Sequence, residues 1–249
     1  MREPISGGGG AGGKLERMSS GGGAGGMLER IRGGLVVSCQ ALEDEPLHSP
    51  YIMSRMAAAA ERGGAAGIRA NSREDILAIR GATALPVVGI VKRDYPGSEV
   101  FITATRRELE ELLTTGCEMI ALDATDRPRP GGETLEALVA YCRRRSPGVQ
   151  LMADVSSLEE AAEAERLGFD CVSATLYGYT PATRGRHLYD DDFGFLRRLV
   201  AQCGIPVVAE GNVLTPDMYR RCLAAGAHAV VVGGAITRPQ LIVERFLQA

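Results

Sequence analysis

Several things are scarce in this 249-residue chain, and each scarcity closes a class of function. No apolar run approaches the roughly 20 residues that a membrane helix needs. Basic residues are not in excess: the formal net charge is -3, which argues against a general nucleic-acid binder, because those carry a basic face or stripe. No C-x-x-C occurs. The six cysteines (Cys39, Cys117, Cys142, Cys171, Cys203 and Cys222) are spread widely and lie mostly in apolar segments, where a thiol behaves as a small hydrophobe. They read as free thiols in a reducing cytoplasm. Three scattered histidines are too few for a histidine-rich metal centre, and no metal is expected. No G-x-G-x-x-G follows the first apolar run, which weakens the case for an open dinucleotide-binding sheet.

What is present begins with glycine. SGGGGAGGKLERM and SGGGAGGMLERI form an imperfect duplication within residues 1–33. Such a stretch buries too little apolar surface to offset its chain entropy, and it lacks the apolar core of a secretory signal. Residues 1–33 are therefore expected to be a disordered tail, dispensable for activity, with Met27 as an alternative start. Residues 34–249 form the expected single domain.

From Leu35 the chain repeats one unit: an apolar run, a polar loop and an amphipathic helix. The runs are LVVSC (35–39), AAGIR (65–69), VVGIV (87–91), EMIALD (118–123), VQLMAD (149–154), CVSAT (171–175), PVVAE (206–210) and HAVVVG (228–233). Helix starts are marked by Ser72 with Asp75, Thr105 with Glu108, Ser157 with Glu160, and Thr215 before Pro216. Gly168 and Gly226 stand where helices should stop. Eight such units in about 215 residues imply a parallel α/β fold closed as a (β/α)₈ (TIM) barrel.

In that barrel the chemistry sits at the carboxyl ends of the strands. Those ends read Gln40, Arg69, Lys92, Asp123, Asp154, Thr175 with Tyr177, Glu210, and the pair Gly233–Gly234. One charged residue there is merely the chain leaving its core; seven polar strand ends describe a ring around one mouth. The loops after strands seven and eight often bind phosphate in these barrels. Here they carry Gly211, Asn212, Gly233, Gly234 and Arg238, so a small phosphorylated ligand is expected. A lysine beside an arginine at a partly dry mouth has a lowered pKa, which makes Lys92 a general base or a Schiff-base nucleophile. Glu210 lies four strands away, across the ring.

The segments SCQALEDEPLHSP, GIRAN, VGIVKRDY, LDAT, MADVSS, TLYGYT, AEGN and GGAITRP, in this order, resemble the N-acetylmannosamine-6-phosphate 2-epimerases over essentially all of residues 34–249. The resemblance implies an isomerase of sialic-acid breakdown that interconverts N-acetylmannosamine 6-phosphate and N-acetylglucosamine 6-phosphate; proton transfer α to an aldehyde requires no cofactor. It implies that Lys92 is the acid/base residue at C2 and Glu210 its companion. Gln40, Arg69 and Asp154 would contact the sugar or position the lysine, and the strand-eight glycines with Arg238 would grip phosphate. It also implies a homodimer through the C-terminal helix. A Schiff-base lyase, a metal-dependent epimerase and a non-catalytic phosphosugar sensor are the competing readings.

Overall fold

The computed structural model describes residues 26–248. Eight parallel strands close into one barrel in sequence order. They are β1 (Leu35–Cys39), β2 (Gly67–Asn71), β3 (Val87–Ile90), β4 (Met119–Asp123), β5 (Gln150–Asp154), β6 (Cys171–Ser173), β7 (Val207–Ala209) and β8 (Ala229–Val232). Each strand is followed by a helix of the outer ring: α2 (Pro50–Arg62), α3 (Arg73–Arg80), α4 (Arg106–Leu113), α5 (Leu135–Arg145), α6 (Leu158–Arg166), α7 (Asp190–Gln202), α8 (Pro216–Ala224) and α9 (Pro239–Leu247). The expected starts hold. Thr105 with Glu108 and Ser157 with Glu160 form reciprocal capping boxes, and the Ser72 and Thr215 hydroxyls accept from Asp75 and Met218 amides. Such a cap contributes about 1 kcal/mol.

Strand alternation sorts the core into two layers. Outward residues such as Val37, Ile68, Ile120, Leu151 and Val172 pack beneath the helices. Inward residues such as Val36, Val88, Met119, Met152, Cys171, Val208 and Ala229 fill the barrel. Gly89 on β3 faces outward, and a Cβ there would lie 2.9 Å from Cys117 Sγ and 3.0 Å from both Ile76 and Leu112. Its missing side chain lets α3 and α4 close on the strand that carries Lys92.

The expected boundary at residue 33 is corrected. Residues 27–33 are not a tail: Met27–Ile31 form a short helix, α1, which closes the amino-terminal end of the barrel. Met27, Leu28 and Ile31 are buried among the inward residues. Leu28 N donates to Gln150 Oε1 (3.1 Å), Gly33 N donates to the His228 carbonyl (2.7 Å), and His228 Nε2 lies 2.7 Å from the Leu28 carbonyl. Burying side chains of this size contributes about 1.5–3 kcal/mol each. That outweighs the poor helix-forming context of the glycines around it. The expectation of disorder for residues 1–25 lies outside the described residues.

Candidate active site

The carboxyl ends of the strands surround a cavity of about 440 Å³. Of the expected residues it brings together Gln40, Arg69, Lys92, Thr175, Glu210, Gly211, Asn212, Gly233, Gly234 and Arg238. Lys92 follows β3, and its backbone N–H donates to Asn71 Oδ1 at the end of β2 (2.8 Å). Its amine is half-buried, and burial together with the Arg69 and Arg238 guanidinium groups brings its pKa down to about 8. A fraction of the amine is therefore neutral near pH 7, as a base requires.

Arg69 organises the floor. It lies in the middle of β2 rather than at its end, 1% exposed, because the strand runs on to Asn71. Its Nη1 and Nη2 donate to the Asp154 carboxylate (3.1 and 2.5 Å), and Nη1 also lies 3.1 Å from Glu210 Oε2. Thr175 Oγ1 bridges the same carboxylates, at 2.8 Å from Asp154 and 3.2 Å from Glu210. Glu210 keeps one edge toward the cavity. Burial raises its pKa, Arg69 works against that rise, and Asp154 adds to it. A cavity-facing carboxyl perturbed by burial and by specific charged neighbours is a candidate for proton transfer. Gln40 donates to Ser38 Oγ (2.8 Å) while its Oε1, buried, has no partner among the described residues. An orphaned acceptor facing a cavity is an unmet hydrogen bond that a ligand N–H or O–H can satisfy.

At the other end of the cavity, Gly211 and Asn212 both have left-handed backbone (φ +123° and +52°) and turn the chain sharply after β7. After β8 the Gly233 carbonyl accepts from the amides of Ile236 and Thr237, which starts a helical turn leading into α9. The amides of Gly234 and Ala235 make no backbone hydrogen bond among the described residues. That is a donor set suited to phosphate oxygens.

The geometry sets three expected residues outside the cavity and narrows what a fourth can contact. Asp123 is fully buried and does not reach the cavity: its N–H pairs with the Ile102 carbonyl (3.0 Å), and Ile102 with Phe101 occupies the wall in front of it. Tyr177 points into the packing under the helices, stacked on Phe195 at 3.9 Å, because a 3₁₀ turn at Ala174–Leu176 breaks the strand alternation. Tyr179 lines the cavity in its place. Asp154 does not line the cavity; it pairs with Arg69 from behind, which fits the positioning half of its expected role. Arg238 lines the cavity, but its Nε and Nη2 are already held by Glu45 (both 2.7 Å), so that edge of its fork is not open to phosphate.

Sequence reading missed Ser38, Asn71, Phe101, Tyr179 and Glu45. Ser38 was within reach, since it is two residues before Gln40 on the inward face. A second unused signal is composition: among 28 basic residues only Lys14 and Lys92 are lysines, so an amine at the mouth is a pointed choice.

Residues 53–249 match the family described as "Putative N-acetylmannosamine-6-phosphate epimerase". Proteins called "Putative N-acetylmannosamine-6-phosphate 2-epimerase" are 65% identical over 218 residues in Enterobacter sp. (strain 638), covering 88% of this chain and 93% of that one. In Oceanobacillus iheyensis the figures are 60% over 216 residues, 87% and 97%. The solved structure of the N-acetylmannosamine-6-phosphate 2-epimerase from Clostridium perfringens aligns with a TM-score of 0.87 at 52% identity, over 92% of this chain and 99% of that one.

Proposed function

The chain belongs to the N-acetylmannosamine-6-phosphate 2-epimerase family, and from that premise we propose that it interconverts N-acetylmannosamine 6-phosphate and N-acetylglucosamine 6-phosphate by moving the proton at C2. The observation that carries the reading is one cavity holding a half-buried amine of lowered pKa and, from the opposite strand, a carboxyl of raised pKa.

In the open-chain sugar C1 is an aldehyde, so the C2 hydrogen is α to a carbonyl. Lys92 as neutral amine takes that proton; the C–H electrons form the C1=C2 double bond and the carbonyl pair moves onto the C1 oxygen, giving an enolate. Return of a proton to the other face of C2 gives the epimer. Glu210, across the ring, assists that return or the opening of the sugar ring. With a pKa of about 8, roughly a tenth of the amine is neutral at pH 7, enough for a base and leaving its conjugate acid for the reverse direction. The Arg69 guanidinium does not carry the enolate charge in this reading. Its Nη groups are paired with Asp154 and Glu210, and its role in this reading is to fix Glu210.

The Gly211–Asn212 turn and the Gly233–Ala235 amides take the phosphate, with the open edge of Arg238 contributing charge. Gln40 Oε1 takes a sugar hydroxyl or the amide N–H. We also place the protein in the cytoplasm as a homodimer. Six free cysteines support the first. Val243, Phe246 and Leu247, which α9 leaves 56%, 80% and 81% exposed, support the second. The test is to incubate the protein with N-acetylmannosamine 6-phosphate in D₂O and follow the C2 proton by NMR. N-acetylglucosamine 6-phosphate deuterated at C2 is the expected product; conversion without C2 labelling, or no conversion, overturns the reading.

A further inference from the structure

Resting on that reading of the reaction, we propose that Asp123 and Arg127 are positioning residues, which hold the Lys92–Thr103 hairpin so that Phe101 and Ile102 wall off the Lys92 amine from water. Neither residue lines the cavity. Asp123 points inward from β4, yet its carboxylate is spent on its own loop. Oδ1 accepts from the Thr125 amide (3.0 Å) and hydroxyl (2.7 Å), and Oδ2 accepts from Arg127 Nη2 (2.7 Å).

Arg127 then reaches the hairpin. Its Nη1 donates to the Glu99 carbonyl (3.1 Å). The same seam is closed by Ser98 Oγ to the Pro128 carbonyl (2.8 Å), Arg129 Nη1 to the Ala104 carbonyl (3.1 Å) and Asp123 N to the Ile102 carbonyl (3.0 Å). On the hairpin's other side, Arg93 and Tyr95 are tied to Glu108, and Arg93 also to Glu111 of α4. Between these two seams Ile102 pairs with Lys92 across the hairpin, and Phe101 and Ile102 both face the cavity. Thr103 is fully buried in left-handed backbone (φ +46°). A β-branched residue adopts that conformation only where its surroundings impose it.

The charged groups that face the amine are Arg69 from β2, Asp154 from β5, Glu210 after β7 and Arg238 before α9. Arg93, its neighbour on the hairpin, is turned to α4. Asp123 and Arg127 pair with each other outside the cavity, so their influence passes through the wall and the water it excludes. Loosening the seam admits water, restores solvation of the ammonium form and raises the pKa toward the ordinary lysine value.

The experiment reads the amine directly. Because Lys14 and Lys92 are the only lysines, ¹³Cε-lysine labelling gives two signals, and Lys92→Arg assigns them. The wild-type Lys92 signal should titrate near pH 8. In Arg127→Ala and Asp123→Asn the midpoint should rise by at least one pH unit. kcat at pH 7 should then fall about tenfold, the loss of neutral amine that one pH unit implies, with KM changed less than about twofold. Arg127→Lys should lie between. Arg80→Ala, which breaks the Arg80–Glu118 pair at the amino-terminal end, should lose stability without moving the midpoint. If Arg127→Ala does not fold, Asp123→Asn and Ser98→Ala on the same seam carry the test. A folded seam variant with midpoint and kcat unchanged overturns the proposal, and so does a wild-type midpoint at the ordinary lysine value. A midpoint that shifts in a protein that does not epimerise leaves the seam standing and refutes the assigned reaction instead.

Discussion

The two ends of this barrel are built from the same eight strands and are opposites. At the amino-terminal end, Met27, Leu28 and Ile31 plug the interior against Val36, Val88 and Met119, and the polar atoms of α1 find partners in Gln150 and His228. At the carboxyl end, Arg69 and Asp154 are buried, Gln40 Oε1 and Arg69 Nε have no partner among the described residues, and Lys92 is held away from its ordinary pKa. One end supplies stability and the other spends it to keep reactive groups poised. Substitutions at the two ends should accordingly differ in kind, and in one case in sign.

The largest stability effect should come from Arg69→Met. It leaves the Asp154 and Glu210 carboxylates facing each other with no countercharge, and breaking a buried pair of this type costs about 3–5 kcal/mol. Thermal unfolding should fall by roughly 10 °C, with activity lost. An unchanged melting temperature would mean that the triad is not what joins β2, β5 and β7.

Next comes Ile31→Ala in the plug, at about 2–4 kcal/mol. Its melting temperature should drop by a comparable amount while the pH profile of the surviving activity stays fixed. A shifted profile would show that the two ends are coupled.

Lys92→Met should have the opposite sign. The folded amine loses its proton near pH 8 and the unfolded one near 10.5. Between those values the unfolded chain binds more protons, so wild-type stability rises with pH across that window, and below it the buried ammonium costs roughly 3 kcal/mol. Lys92→Met should therefore unfold at higher temperature than wild type at pH 7, and the gap should close as pH climbs from about 8 to 10.5. A variant less stable than wild type at pH 7 would contradict the claim that the mouth is costly.

Arg238→Ala should act on binding rather than folding. Losing one charge-assisted contact costs about 1.5–3 kcal/mol, one to two decades in KM for the phosphorylated sugar, and little for free N-acetylmannosamine. Equal losses on the two sugars would remove Arg238 from the phosphate end.

The same contrast explains which parts could be read in advance. Strand and helix order was legible because apolar runs and caps repeat eight times, and β1 falls on the expected residues 35–39. β2 lies two residues later than the run AAGIR, because the strand continues past its first charged residue to Asn71. Arg69 is an interior residue whose countercharges come from strands 85 and 141 positions later, and no local pattern carries that. The plug was hidden for the reverse reason: its three apolar residues stand inside a glycine duplication, and only the open barrel end shows what they cover. Lys92, Glu210 and Gln40 were legible because strand ends in this fold converge. Asp123 and Tyr177 were misplaced because a folded-back hairpin and a 3₁₀ turn intervene, and both depend on tertiary hydrogen bonds.

The central claim is that the amine of Lys92 breaks the C2–H bond and that Glu210 serves the other half of the turnover. It is tested most directly by the rate at which C2 hydrogen exchanges into N-acetylmannosamine 6-phosphate in D₂O, measured by NMR for wild type, Lys92→Ala and Glu210→Gln. Lys92→Ala should fold and show neither exchange nor epimerisation, and Glu210→Gln should still exchange from at least one epimer while epimerising slowly. Exchange by Lys92→Ala at near the wild-type rate would contradict the claim.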